Sequence, residues 1–427
     1  MTSAPELTPS ATLEMNERSA ALIASGHTVY RLGLGQSPFP VPPHIVQALI
    51  EHASEKDYLP VRGLLALRRS IVSWLARTEG IKRDADHVMI GPGSKELLFI
   101  AQLAAEAELL LPSPSWVSYS PQAQLIGRAV QWIPTHFSDD LKITADALEG
   151  ACLNDPKKRR LLILNSPCNP TGGCYSEQEL LALSEVARAY GVLVISDEIY
   201  SGVQFRGLHR SLARFYPEGT LISNGLSKWA GAGGWRLGFM SAPPELSWLI
   251  ERMSCIASET FTSVSAPIQY AAVSAFSEHH EMELYLQHSR WILSALLQHA
   301  TQKLTEVGAV VPEARGGFYL FPHFEGLRVQ LERRGIRNGR ALCKRLLDEG
   351  GVASLYGEHF GRPAEELSLR IALVDFDGAQ ALQALTTTRI ATGEATSEHS
   401  ISEPFLWEHC PRVMKAIEVM CSWLSEE

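Results

Sequence analysis

The chain has 427 residues, 20% of them charged, and a formal net charge of −9 from 38 basic and 47 acidic side chains. That acidic balance excludes a general nucleic-acid binder, whose footprint is basic. The length exceeds the ~250–300 residues at which single cores stop growing, which predicts more than one domain.

The seven cysteines are scattered, odd in number and without a C-x-x-C pair, so neither a zinc site nor a disulfide framework is indicated. A reducing compartment fits them best. Met1 to Ser25 lacks a basic start followed by an apolar core, and so does not read as a secretory signal. Apolar runs such as Phe99 to Leu111 are broken by Glu106 and Glu108, too soon to span a membrane. A soluble, cytoplasmic protein is expected, with no metal, membrane or nucleic-acid partner.

In chain order, the first ~25 residues are polar and rich in Ala, Ser, Thr and Glu, which predicts an arm. Tyr30 to Pro43 carries too much Gly and Pro for a helix. Its glycines, Gly33 and Gly35, either let backbone approach a ligand or simply connect elements. A short helix is predicted from His44, a turn over Asp57 to Gly63 and an amphipathic helix over Leu64 to Ala76. The strand His87 to Ile90 then runs into Gly91-Pro92-Gly93-Ser94-Lys95 and an apolar helix. A strand, a Gly-Ser turn and a helix N-terminus make an anion site from free backbone N–H groups. The stretch matches neither G-x-x-x-x-G-K-[ST] nor G-x-G-x-x-G, which argues against nucleotide binding.

Further strands are predicted at Leu109 to Leu111, Ala129 to Ile133, Leu161 to Leu164, Val192 to Ile195 and Thr220 to Ser223, with a helix over Glu177 to Tyr190. These runs are short and apolar throughout, as in strands buried on both faces of a mostly parallel sheet. Each ends in polar or glycine residues, as a site at the carboxyl ends of strands requires. Beyond a long helix over Glu278 to Val307 come strand-like Ala309 to Val311, Gly317 to Phe321 and Leu367 to Leu373, with a helix over Gly339 to Glu349. This is an α+β pattern distinct from the middle. Thr386 to Pro411 is polar and reads as a surface insertion.

One stretch, Ser223 to Gly238, carries a lysine among small residues and an arginine eight positions later. A buried lysine amine attacks carbonyls, and an arginine fork suits phosphate. Together Lys228 and Arg236 suggest a covalent lysine–aldehyde adduct with a phosphate nearby.

Four elements then occur in order: Pro167-Cys168-Asn169-Pro170-Thr171-Gly172, Asp197-Glu198-Ile199-Tyr200, Ser227-Lys228 and Gly234-Trp235-Arg236-Leu237-Gly238. In them the chain resembles the class I/II aminotransferase family of fold-type I pyridoxal-phosphate (PLP) enzymes, from about Tyr30 to Ala379. The resemblance implies an α/β large domain, with a mostly parallel seven-stranded sheet between helices, plus a smaller α+β domain. The divisions expected are 1–43, an arm and part of the small domain; 44–290, the large domain; and 291–427, the small domain.

The resemblance also implies the activity: transfer of an amino group from an L-amino acid to a 2-oxo acid through a Lys228 Schiff base with pyridoxal 5′-phosphate. Asp197 would pair with the pyridine nitrogen, Asn169 and Tyr200 would bond the ring O3′, and Trp116 would stack on the ring. Gly93, Ser94, Lys95, Ser227 and Arg236 would hold the phosphate, with Tyr58 reaching it from the neighbouring subunit of a homodimer. Arg370, Gly35 and Asn169 would bind the substrate α-carboxylate.

Two positions depart from the family pattern. Gly225 stands where a phosphate-binding serine is common, and Arg62 stands where small residues are common, reaching either a substrate or a surface ion pair. Phe39, Tyr119, Phe318 and Tyr319 form either a substrate side-chain pocket or core. The same fold hosts lyases, cyclases and oxidases, including aminocyclopropane-carboxylate-synthase-like and C–S lyase chemistry, and non-catalytic regulators. Retention of Lys228 and the lack of room for an N-terminal DNA-binding domain argue against a regulator.

Overall fold

The structure is a computed structural model and describes residues 11–392 and 401–426. The chain begins with helix α1 (Ala11–Ala24), strand β1 (Tyr30–Arg31) and helices α2 (Pro43–Glu51) and α3 (Leu65–Glu79). A βα alternation follows: β2 (Val88–Gly91), α4 (Ser94–Ala105), β3 (Glu108–Ser113), α5 (Tyr119–Leu125), β4 (Val130–Pro134), α6 (Ala145–Leu153), β5 (Arg160–Asn165), α7 (Glu177–Ala189), β6 (Leu193–Asp197), β7 (Thr220–Gly225) and β8 (Gly238–Ser241). Helices α8 (Ser247–Ser258), α9 (Ala266–Phe276) and α10 (His280–Glu306) lead to β9 (Tyr319–Leu320), α11 (Arg328–Arg333), α12 (Gly339–Gly350), β10 (Val352–Ala353), β11 (Leu355–Tyr356) and β12 (Leu369–Ala372). Helices α13 (Gly378–Thr392), α14 (Glu403–His409) and α15 (Pro411–Leu424) close the described chain.

Strands β2 to β8 form one seven-stranded sheet in the order β2-β8-β7-β6-β5-β3-β4. All its pairings are parallel except the two that β8 makes, with β2 and β7. Both faces are covered, and β5 shows how. Leu161 and Ile163 enter one apolar cluster, while Leu162 and Leu164 enter another on the opposite face. Period-two alternation with no polar face is what a doubly covered parallel strand dictates. Local signals agree with the helix starts: Ser176 and Glu179 form a reciprocal capping box on α7, and Asn338 caps α12.

The smaller sheets gather the ends of the chain. β12 pairs antiparallel with β11 and β9, and β1 pairs in parallel with β10, so Tyr30 lies opposite Val352.

Four expectations change. The N-terminal arm is helical from Ala11, with Ser19 buried and Arg18 paired to Asp348 at 2.6 Å. β8 is an additional strand, which the sequence hid because it is short and holds a glycine and a serine among its four residues. Ala309 to Val311 contributes only one bridge, Val310 to His323. The Thr386 to Pro411 stretch is not a surface insertion throughout: α13 runs to Thr392, residues 393–400 lie outside the described residues, and α14 buries Leu406 against the core. All seven cysteines are free, and no helix among the described residues is long and apolar enough to cross a membrane.

Because both faces of β5 are packed, Leu162→Ala and Ile163→Ala should each cost about 2–5 kcal/mol, read from chemical denaturation. A near-neutral effect at either position would mean that one face of the sheet is not closed.

Candidate active site

Parallel strands deliver their carboxyl ends to one edge, and that edge carries the polar residues. In register, Asn165 at the end of β5 lies beside Asp197 at the end of β6, which lies beside Ser223 in β7. Asn165 Nδ2 donates to the Asp197 carbonyl at 2.8 Å, and the Asn169 amide donates to Asn165 Oδ1 at 2.7 Å. Over this edge opens a cavity of about 470 Å³. Its walls bring together Gly35, Ser94, Lys95, Trp116, Asn169, Asp197, Tyr200, Ser227, Lys228, Arg236 and Arg370, from strand ends and loops up to 335 positions apart (35 to 370).

Lys228 follows β7 and donates from Nζ to the Gly35 carbonyl at 2.6 Å. Burial first, then Arg370 and Arg236, push its ammonium down to about 8, while Asp197 pulls the other way. Asp197 is buried, which raises its carboxyl to about 6. The Tyr119 hydroxyl opposes that rise by donating to Oδ2 at 2.5 Å. Tyr119 thus supports the acid while also lining the cavity. Its place three residues after Trp116, on the same turn, was the available signal.

Arg370, on β12, is only 1% exposed. Its Nη1 donates to Asn169 Oδ1 at 3.3 Å, Nη2 donates to the Gly33 carbonyl, and Nε has no hydrogen-bond partner among the described residues. It lies 4.8 Å from the Tyr319 ring centroid, and phenols rather than carboxylates are the groups that favour its charge. A buried guanidinium without a carboxylate is costly unless an anion arrives.

Tyr319 also shares a hydrogen bond with Tyr200 at 2.9 Å, and Tyr200 Oη accepts from Asn169 Nδ2 at 3.5 Å. Gly35 has to be glycine here, since a Cβ would come within 1.8 Å of the Tyr319 hydroxyl. Phe39 and Phe318 are core residues; Phe39 packs edge-on against Tyr285 and Phe376.

The anion cradle forms where α4 begins. Gly93 caps α4 at φ 86 with no side-chain cap bond, leaving first-turn N–H groups free for a ligand. Arg236, at φ 54, donates to the carbonyls of Gly233 at 2.9 Å and Pro92 at 3.3 Å, beside that turn. Gly93 is needed there because a Cβ would meet Arg236 Nη2 at 2.3 Å. The Gly225 departure has a steric reason. Gly225 pairs with Gly238, and a Cβ on Gly225 would lie 2.6 Å from the Leu237 carbonyl oxygen. These residues fit a phosphorylated pyridine aldehyde: an amine, a carboxylate at a strand end, an aromatic wall in Trp116 and a phosphate cradle.

Two residues stand apart. Tyr58 is 94% exposed and outside the cavity of its own chain. Arg62 donates to Ser254 Oγ at 3.2 Å and to the Asp86 carbonyl at 2.8 Å, a structural tie between elements. Sequence reasoning also missed Asn165 and the α1 residues Thr12 and Leu13, all of which line the cavity.

Comparison with known proteins gives the family and the fold. The family model for aminotransferase class I and II matches residues 27–385. An aspartate aminotransferase of Geobacillus stearothermophilus is 35% identical over 367 residues, covering 84% of this chain and 90% of that protein. An asparagine–oxo-acid transaminase of Streptococcus mutans is 31% identical over 374 residues, covering 84% and 91%. Among solved structures, an aromatic aminotransferase from Pyrococcus horikoshii superposes with a TM-score of 0.77 at 28% identity, covering 95% of this chain and 98% of that one. An aspartate aminotransferase from Thermus thermophilus with maleate shares the fold at a TM-score of 0.81 and 24% identity, covering 97% of both chains.

Two substitutions check the local physics. Tyr119→Phe removes the donor to the Asp197 anion, so the carboxyl should titrate above its value of about 6. Infrared titration of the cofactor-free protein reads this directly, and an unmoved midpoint would deny the hydrogen bond its role. Gly225→Ser should destabilise by about 1–3 kcal/mol through overpacking and should not tighten phosphate binding, as denaturation and cofactor titration would show.

Proposed function

The chain belongs to the class I and II aminotransferases, and from that premise we propose that it moves the amino group of an acidic L-amino acid to a 2-oxo acid, with Lys228 carrying the proton and Arg370 clamping the carboxylate. Enzymes of this family work with pyridoxal 5′-phosphate, which when bound supplies the electron sink for a carbanion at the substrate Cα. The observation that carries the reading is Arg370: a buried cation with no acidic partner among the described residues, opening on the same cavity as Lys228.

Each remaining role follows from the side chain. Arg370, steadied by Asn169 and the Gly33 carbonyl, would take the α-carboxylate and turn Cα towards Lys228. Lys228, with its pKa brought down to about 8, would take and hold the Cα proton at Nζ. Asp197, held as an anion by Tyr119, would keep the pyridine nitrogen protonated. Asn169 and Tyr200, the latter backed by Tyr319, would bond the cofactor hydroxyl. The N-terminus of α4 with Gly93 and Ser94, together with Ser227 and Arg236, would hold the phosphate.

Charge counting supports the substrate class. Among the described residues, four cations line the cavity (Lys95, Lys228, Arg236 and Arg370) against one carboxylate, Asp197. Arg236 serves the phosphate and Arg370 the α-carboxylate, and Lys95, which the family resemblance assigned to the phosphate, is here given to a second, side-chain carboxylate instead. Lys95 Nζ stands 5.3 Å above the Trp116 ring, and the relatives named as aspartate aminotransferases are consistent with that use.

Tyr58, exposed together with Val46, Ile50 and Leu65, supports a homodimer in which Tyr58 reaches the partner's phosphate cradle. The pairing of β1 with β10 supports placing residues 1–43 with the small domain of 291–427, against a large domain of 44–290.

The test is a panel of amino acids offered singly to the cofactor-loaded protein, with a 2-oxo acid acceptor. L-aspartate or L-glutamate should react fastest, and a preference for apolar or aromatic donors would sink the acidic-substrate reading. Lys95→Ser should lower kcat/KM for L-aspartate by about 10–100-fold, the loss of one hydrogen bond to a charged group, while leaving L-alanine within about threefold.

A further inference from the structure

Away from the active site, α2 and α10 begin side by side, and three potential ligands converge there. His44 lies in the first turn of α2, His279 immediately precedes α10, and Glu281 lies in the first turn of α10. One ligand atom from each lies within 4.8 Å of the other two. The two imidazoles stack at 4.2 Å between centroids with planes 4° apart. Neutral imidazole is the form that binds metal.

A second observation is independent of that convergence. Both ring nitrogens of His44 and Nδ1 of His279 are shielded from solvent and have no hydrogen-bond partner among the described residues. A shielded imidazole nitrogen without a partner forfeits its bond to water and gains nothing in return. A cation beside the carboxylate would satisfy one nitrogen of each ring at once.

We propose that His44, His279 and Glu281 bind a divalent ion of the zinc class, tying the start of α2 to the start of α10. Two imidazoles and one carboxylate suit zinc, cobalt or nickel and not the oxygen-seeking magnesium or calcium. Bonds of about 2.0–2.1 Å require the ligand atoms to draw closer than they stand and one imidazole to turn out of the stack, so that the ion lies in the plane of both rings; Glu281, being exposed, is free to swing in. The ion would reinforce a seam the protein already makes: Tyr285 of α10 donates to the Pro40 carbonyl at 3.0 Å and packs against Phe39. Its role is structural, because none of the three residues lines the catalytic cavity.

The test is titration of Zn²⁺ into chelator-treated, cofactor-loaded protein by calorimetry, with Co²⁺ as the spectroscopic probe. One equivalent per chain should bind, the Co²⁺ visible band should report tetrahedral nitrogen and oxygen ligands, and Tm should rise, since the ion binds only the folded chain. His44→Gln and His279→Gln should each weaken binding by more than the roughly 10–100-fold that losing an outer-shell partner costs, with amino transfer retained as the sign that each variant folds. Should one variant fail to fold, the other and Glu281→Gln still decide the question. Equal affinity in all folded variants, or no saturable binding to the parent protein, would overturn the proposal.

Discussion

An uncompensated positive charge organises this molecule. Arg370 and Lys228 are both drawn into the protein, and among the described residues the only carboxylate on the same cavity is Asp197, itself raised towards neutrality by burial. Folding alone does not balance these charges. Buried cations left without an acidic partner are costly to keep desolvated, and that cost is the physical basis of the proposed anion binding.

Keeping such groups in place requires a rigid frame. Asn165, Asp197 and Ser223 are aligned by the register of three parallel strands, and side chains packed on both faces keep that register from slipping. The glycines serve the same end by closeness. Gly225 against Gly238 lets β7 and β8 approach, and Gly238 in turn leaves room for the start of α4, where a Cβ would stand 2.3 Å from the Ser94 nitrogen. The anion cradle, the lysine loop and the sheet are thus one packed unit. Arg370 comes from the far end of the chain, on β12, and its contacts with Asn169 and Gly33 join that end to the frame.

Much of this was legible in the residues themselves. The apolar runs that become β3, β5, β6 and β7 are uniform because both sheet faces are covered, and their polar ends marked the site edge. Lys228, Asp197, Asn169 and Arg236 stood in motifs whose chemistry is specific. β8 was not legible, because Gly238 to Ser241 has neither the length nor the composition of an independent strand and is ordered by its neighbours. The helical state of Ala11 to Ala24 was hidden for a similar reason: its polar composition reads as an arm, and its contacts with the distant Asp348 region give it a surface to lie on.

Local chemistry, then, was written in the sequence: which residues can form a covalent link to a carbonyl, hold a proton or fork onto an anion, and where strands must alternate with helices. Partnership was decided by tertiary structure. That Tyr119 donates to Asp197 and Tyr319 to or from Tyr200, that Arg62 ties elements together, and that Gly225 has no room to be a serine all depend on atoms brought together from distant positions. Spacing along a chain reports the period of an element. It carries no record of which side chain will lie within 3 Å of another once burial has chosen the packing.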